Sequence, residues 1–302
     1  VPGDSSVPVQ LWAMLSNVQA SSTTSVAGTA PRSGNAFALG IAGNDQTGEY
    51  NSNYSGQFNI KLVGLGSGER AYVAGSSTVG NNFVVRKSKP TVAVAASSSV
   101  LSNSSDFGLM TFTVGADQAG SVSLKKISFV LSKSTTTGSM MTLSNFRLKK
   151  AGDFVDSSQY TIVDTNGTDL SAAQWQNAST TGHLVVRFTN PEVISGQGNE
   201  YSIRAVVAGA LPGDSVSLGF AQKGTSSIVT GFLTANNGNT TLNSMVLPGP
   251  NLHSTTYGGS TAQFPGTFVW SDRSETTPGS ATSGDWTDDV YVRRFDTVSF
   301  TR

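Results

Sequence analysis

Cysteine is absent from all 302 residues, which removes disulfide frameworks, thiolate nucleophiles and thiolate metal sites together. Charge is scarce as well: Asp, Glu, Lys and Arg make up 13% of the chain, against about 25% in an average soluble domain. The 19 basic and 19 acidic residues cancel, so no field draws the chain to phosphate, and nucleic acid is not an expected partner. The only two histidines, His183 and His253, fall in different expected units, which argues against a His-centred triad or a two-His metal site. No uninterrupted apolar run reaches the ~20 residues of a bilayer-spanning helix, so no membrane span is expected. No nucleophile–base pair or matched pair of carboxylates stands out; no catalytic residue is assigned, and the chain is not expected to be an enzyme.

What is present is 37% hydrophobic residues, including 15 Phe and 4 Trp, in a background of Gly, Ser, Thr and Asn. That is enough apolar surface for modest cores and excludes general disorder. The sequence begins with Val1, Pro2, Gly3 and Asp4 rather than Met, which leads to the expectation that an N-terminal secretion segment is removed. Low charge and no cysteine fit the same extracellular, cell-surface address.

Period-two alternation runs through the chain, as in Phe37/Leu39/Ile41, Phe58/Ile60/Leu62, Leu184/Val186/Phe188, Tyr201/Ile203/Ala205/Val207 and Val216/Leu218/Phe220. Clusters at 64–68, 132–139 and 212–214 separate such segments as turns. The expected class is therefore all-β, with antiparallel sandwiches that have one buried and one wet face per sheet. In 121–131 the apolar residues fall at 122 and 124, then at 127, 129 and 131, so a β-bulge at Lys125-Lys126 is needed to keep both runs on the core. The helix candidates are short, at 10–19 and 171–176, and the first reads equally as an extended arm because Val7, Val9 and Leu11 alternate.

Phe58-Asn59-Ile60-Lys61-Leu62-Val63 parallels Tyr201-Ser202-Ile203-Arg204-Ala205-Val206, each followed by a Gly-containing turn and another strand, which suggests a duplication. The resulting division is an N-terminal arm at 1–25, a short β-sandwich unit at 26–89, a larger one at 90–222, and a C-terminal β segment at 223–302 that includes an extended connector.

Three runs carry a family likeness: 85–92 (Val-Arg-Lys-Ser-Lys-Pro-Thr-Val), 111–120 (Thr-Phe-Thr-Val-Gly-Ala-Asp-Gln-Ala-Gly) and 122–129 (Val-Ser-Leu-Lys-Lys-Ile-Ser-Phe). With Phe268-Val269-Trp270-Ser271-Asp272-Arg273-Ser274, Gly284-Asp285-Trp286-Thr287 and Val290-Tyr291-Val292, they resemble S-layer or filament-like surface proteins of candidate-phyla-radiation bacteria of the Patescibacteria/Parcubacteria type. The resemblance covers roughly 85–302. It implies an extracellular, Ig-like protein of S-layer or filament type with no known catalytic residues; with the repeat and the alternating N-terminal segment, the expected architecture is tandem Ig-like antiparallel β-sandwiches with extended terminal arms. The chain departs from it in being shorter than many such proteins.

A neutral sandwich with apolar arms is expected to associate with itself. Val7, Val9 and Leu11, or Val290 and Val292, are the candidate donor-strand residues for a head-to-tail homopolymer. Cell-wall or surface glycans are the alternative partner, with Trp270 and Trp286 as a stacking platform; the competing assignment for both is the core, since Phe268 and Trp270 point the same way in a strand. Asp164, Asn166 and Asp169 place oxygens at near-alternate positions around Gly167, part of a Ca²⁺ loop, although a plain Asn-Gly turn explains the same residues. Asp272, Glu275, Asp285, Asp288 and Asp289 are a second acidic group with the same two explanations. No other cofactor is expected.

Overall fold

The computed structural model describes residues 78–95, 100–163, 169–171, 174–175, 180–221, 268–275, 285–288 and 297–302, with 10, 18–19, 33, 36–41, 61–64, 66–72, 256–257 and 260–261. Every regular element among them is a strand. The chain divides into a unit of Asn35–Val85 and a unit comprising Val1–Gly34 and Arg86–Arg302.

The smaller unit holds β1 (Ala36–Ile41), β2 (Lys61–Val63), β3 (Arg70–Tyr72) and β4 (Thr78–Val84). β1 pairs antiparallel with β4, and β2 forms a hairpin with β3 across a turn closed by Gly64 and Glu69.

The larger unit is a sandwich of two antiparallel sheets. Its strands are β5 (Pro90–Val94), β6 (Ser104–Ala116), β7 (Val122–Ser134), β8 (Thr142–Lys150), β9 (Asp153–Phe154), β10 (Tyr160–Val163), β11 (Gln174–Trp175) and β12 (Thr180–Ile194). They continue with β13 (Asn199–Ala208), β14 (Ser215–Phe220), β15 (Thr256–Tyr257), β16 (Ser260–Thr261), β17 (Phe268–Ser271), β18 (Trp286–Asp288) and β19 (Val298–Thr301). One sheet runs β11-β8-β13-β6-β5, with β9 beside β8. The other runs β10-β12-β7-β14-β19, and β17 takes the rest of β7's length with β18 outside it. β15 and β16 pair only with each other.

Alternation builds this core as expected. Tyr201, Ile203, Ala205 and Val207 on β13 are buried, and so are Leu184, Val186 and Phe188 on β12 and Val216, Leu218 and Phe220 on β14. β7 carries the expected bulge: β17 pairs with Lys126 and then with Leu124, skipping Lys125; β12 also passes from Lys126 to Leu124, but with its own residues 188–191 left out of the register. The extra residue keeps Val122, Leu124, Ile127, Phe129 and Leu131 on one face.

Four expectations change. The short helix at 171–176 is replaced by strand β11 at 174–175, which pairs with β8. The turn expected to open at Ser132 opens later, because Ser132, Lys133 and Ser134 are held in the ladder by β12 or β14 on either side. The two similar segments are not equivalent: β2 and β3 are one hairpin, whereas β13 and β14 lie in different sheets. The C-terminal segment is not built as a separate piece either, since β17 and β19 complete the second sheet of the 90–222 sandwich. The 10–19 arm-or-helix candidate lies almost wholly outside the described residues.

Two turns show why particular residues are needed. The link from β12 to β13 ends on Gly198, at φ 84°, where a Cβ would lie 1.9 Å from the Val114 carbonyl oxygen. The link from β13 to β14 closes on Asp214, which is fully buried. Its carboxylate accepts the Leu211 N–H at 2.7 Å, the Thr136 N–H at 2.7 Å and hydroxyl at 2.9 Å, and the Ser139 hydroxyl at 2.5 Å. Burial opposes ionisation, but these donors outweigh it and bring the carboxyl from 3.8 to about 2. A carboxylate with a depressed folded pKa stabilises above its ordinary value and loses that contribution as pH falls from about 4 towards 2. Asp214→Asn is expected to cost about 2 kcal/mol in urea unfolding at pH 7, with the gap from wild type narrowing across that acidic window.

Candidate functional site

The residues singled out from sequence separate into three groups in the structure. Val7, Val9, Leu11, Val290, Val292, Asp164 and Asn166 lie outside the described residues. Asp169 is exposed, sits opposite Val163 in an isolated bridge, and accepts the Ser171 N–H at 2.8 Å, as a turn residue does. Among the described residues no three His, Cys, Asp or Glu side chains converge.

Trp270 and Trp286 are 0% and 1% exposed, so neither ring offers a face to a sugar. Trp270 points with Phe268 into the core between the sheets. Trp286 stands opposite Ser271, whose side chain alternates to the other face of the same sheet. That face is itself covered around Lys126, Ser128, Val185 and Val269, all at most 1% exposed. His183 lies on β12 half-buried, and burial, with the Lys126 charge, holds it below its ordinary pKa. His253 is outside the described residues.

Asp272 and Asp285 are brought together, but as hydrogen-bond acceptors inside a structural joint. Asp272 is fully buried and accepts the Ser33 hydroxyl at 2.5 Å, the Lys87 N–H at 2.8 Å and the Ser274 N–H at 3.1 Å. Its own N–H donates to the Asp285 carbonyl at 3.2 Å, and the Asp285 carboxylate accepts the Ser271 hydroxyl. Arg273, at φ 53°, turns back to donate its guanidinium to Ser123 on β7 at 2.9 Å. The Trp-Ser-Asp-Arg-Ser run is therefore a fastener that ties β17 to β7 and to the entry of β5. The donors around it are N–H and hydroxyl groups, which suit a carboxylate acceptor.

Sequence reasoning missed a cluster on the outer face of the first sheet. Asp106 meets Arg204 at 3.1 Å, Lys149 at 3.1 Å and Arg147 at 3.5 Å, and the Arg204 hydrogen bond holds its carboxyl below the usual range. Gly108 makes room for this, since a Cβ there would meet Arg204 at 2.5 Å. The signal was the i, i+2 spacing of Arg147 and Lys149, which puts both on one face of a strand. Three cations around one carboxylate leave this face with an excess of positive charge, whereas Lys150, of the opposite parity, reaches Glu192 on β12 of the other sheet.

The remaining candidate is the rim of the sandwich. On the β10/β8 flank, Leu170 donates its N–H to Ile162 at 2.8 Å and accepts the Phe146 N–H at 3.1 Å, bridging the sheets. The other flank is formed by β5 and β19. β19 puts Phe300 edge-on against Phe107, with ring centroids 5.0 Å apart, and Thr301 accepts the Leu101 N–H at 3.2 Å. β5 has β6 as its one partner among the described residues.

With its indole in the interior, Trp286→Ala is expected to lower unfolding free energy by about 3–5 kcal/mol. Unchanged stability in a denaturant titration would remove that assignment. No protein-family model, curated protein or solved structure matches this chain.

Proposed function

We propose that the chain is a structural subunit of an extracellular surface assembly, a filament or S-layer-like array, with Ig-like sandwich units that polymerise by strand complementation and carry no active site. The observation behind this reading is β19. A four-residue strand from the far end of the sequence lies against β14, and its Phe300 fills the core beside Phe107. A sandwich whose last edge position is filled by a short strand remote in sequence has the architecture on which complementation operates. The same exchange between molecules, with a terminal arm as donor, gives head-to-tail contacts that do not close. The likeness to candidate-phyla-radiation surface proteins, the cysteine-free composition and zero formal charge support the same address and job. The glycan-binding alternative rested on Trp270 and Trp286, and their burial gives it no support. Among the described residues no helix is long and apolar enough to cross a membrane.

Electron microscopy of the purified chain across a concentration series, with and without Ca²⁺, is expected to show regular filaments or sheets. Deleting residues 1–20 should leave folded, dispersed monomers. Polymers that persist unchanged after that deletion would eliminate the N-terminal arm as donor, and a dispersed monomer under every condition would eliminate the assembly reading.

A further inference from the structure

Among the described residues β5 is an edge strand, guarded only at its first position, where Pro90 lacks an outward N–H. Beyond it Thr91-Val92-Ala93-Val94 contains no charge and no bulge, and β5 pairs in continuous register with β6 from Ala116 to Phe112. The Ala95 N–H donates to the Thr111 carbonyl at 2.9 Å, and the Asp117 N–H donates to the Lys89 carbonyl at 2.9 Å. These bonds fix the parity of the ladder. Odd-numbered residues turn their backbone groups towards β6, and Val92 and Val94 turn theirs outward. The same two side chains pack against the core yet stay half-buried, whereas Thr91 and Ala93 are exposed on the opposite face. An incoming antiparallel strand therefore has to offer two residues of equal parity that hydrogen-bond inward and also place apolar side chains over Val92 and Val94.

We infer that the outer edge of β5 is the acceptor for the Val7-Pro8-Val9-Gln10-Leu11 segment of a second copy of this chain, an assignment that rests on the assembly reading above. In this segment Val7, Val9 and Leu11 share one parity and are apolar, while Pro8 and Gln10 hold the other. Pro8 has no N–H, so it is excluded from a central strand but fits where the missing donor faces outward. It also blunts the new edge, which limits each acceptor to one donor. The opposite parity would put Pro8 against β5 and Gln10 over the core. Neither segment carries charge, so nothing repels the docking.

The test is fluorescence anisotropy of a labelled synthetic peptide of residues 5–15, titrated into the dispersed fraction of the full chain. Saturable binding is expected, at least tenfold weaker for Val92→Pro, which removes an outward N–H and leaves every β5–β6 bond intact. A peptide N-methylated at Val9 should lose binding, and one N-methylated at Gln10 should keep it. That pair reads the parity without altering the protein, so it stands even where Val92→Pro fails to fold. No saturable binding, equal binding to a folded Val92→Pro chain, or equal loss from both N-methylated peptides would overturn the assignment. Micrographs separate the two levels. Assemblies that grow normally with Val92→Pro overturn the β5 acceptor and leave the assembly reading; peptide binding with the expected parity by a chain that never assembles does the reverse.

Discussion

Phe112 is the point on which the sandwich depends. It projects from β6 in one sheet and meets Phe129 and Phe220 of the other at ring-centroid distances of 5.5 and 5.3 Å, while Tyr201 stacks beside it at 5.6 Å. Each sheet alone has one apolar face that must be covered, and the interlocked rings cover both faces in one contact. The four strands that supply the rings, β6, β7, β13 and β14, are the central strands of their sheets. Strands further out join an interior that is already closed, which is why they can be as short as two or four residues.

The scarce charges are used in the same economical way. Asp214, Asp272, Asp285, Lys126 and Lys133 are all buried. Two of these carboxylates, Asp214 and Asp272, collect N–H and hydroxyl donors from several pieces of chain. Asp214 gathers Thr136, Ser139 and Leu211 at one end of the sandwich, and Asp272 gathers Ser33, Lys87 and Ser274 around the entry to β5. A carboxylate can accept several such bonds, and each is stronger than one between neutral groups, so one residue can fix three pieces of chain. Ser-rich and Thr-rich composition, which in the sequence looks like low information, supplies the donors.

The strand class and the core rows were legible because alternation is a local property: Tyr201 to Val207, Leu184 to Phe188 and Val216 to Phe220 face inward as their spacing requires. The bulge at Lys125 was legible for the same reason, since a parity change has one cheap remedy. What was not legible depended on distant partners. Lys133 looked like part of a turn, but its ammonium reaches the Met141 carbonyl at 2.7 Å and its backbone pairs with β14. Asp272 and Asp285 read either as a Ca²⁺ cluster or as solvated loop carboxylates, yet both are buried, and Asp272 accepts from Ser33 and Lys87, donors far back in the sequence. Trp286 was ambiguous because alternation gives its face and says nothing of what covers that face. The repeat misled for a related reason: similar strand–turn–strand sequences make a hairpin at 61–72 and a crossing between sheets at 201–220.

The proposed mode of assembly follows from how little a short edge can hold. The N–H and C=O groups of Val92 and of Val94 allow four hydrogen bonds, a net contribution of about 2–6 kcal/mol. Association of two free molecules costs about 4–15 kcal/mol in lost freedom before any of this is recovered. One such contact is therefore weak, and apolar cover over Val92 and Val94 has to supply the balance. Repetition changes the account, because in a filament or array each subunit is both donor and acceptor, and neighbours already held in place raise the effective concentration of the next strand. On this proposal the chain is dispersed when dilute and ordered when crowded. The lack of charge on β5 is a hazard in an isolated monomer, and in an assembly it is the condition that lets identical copies approach.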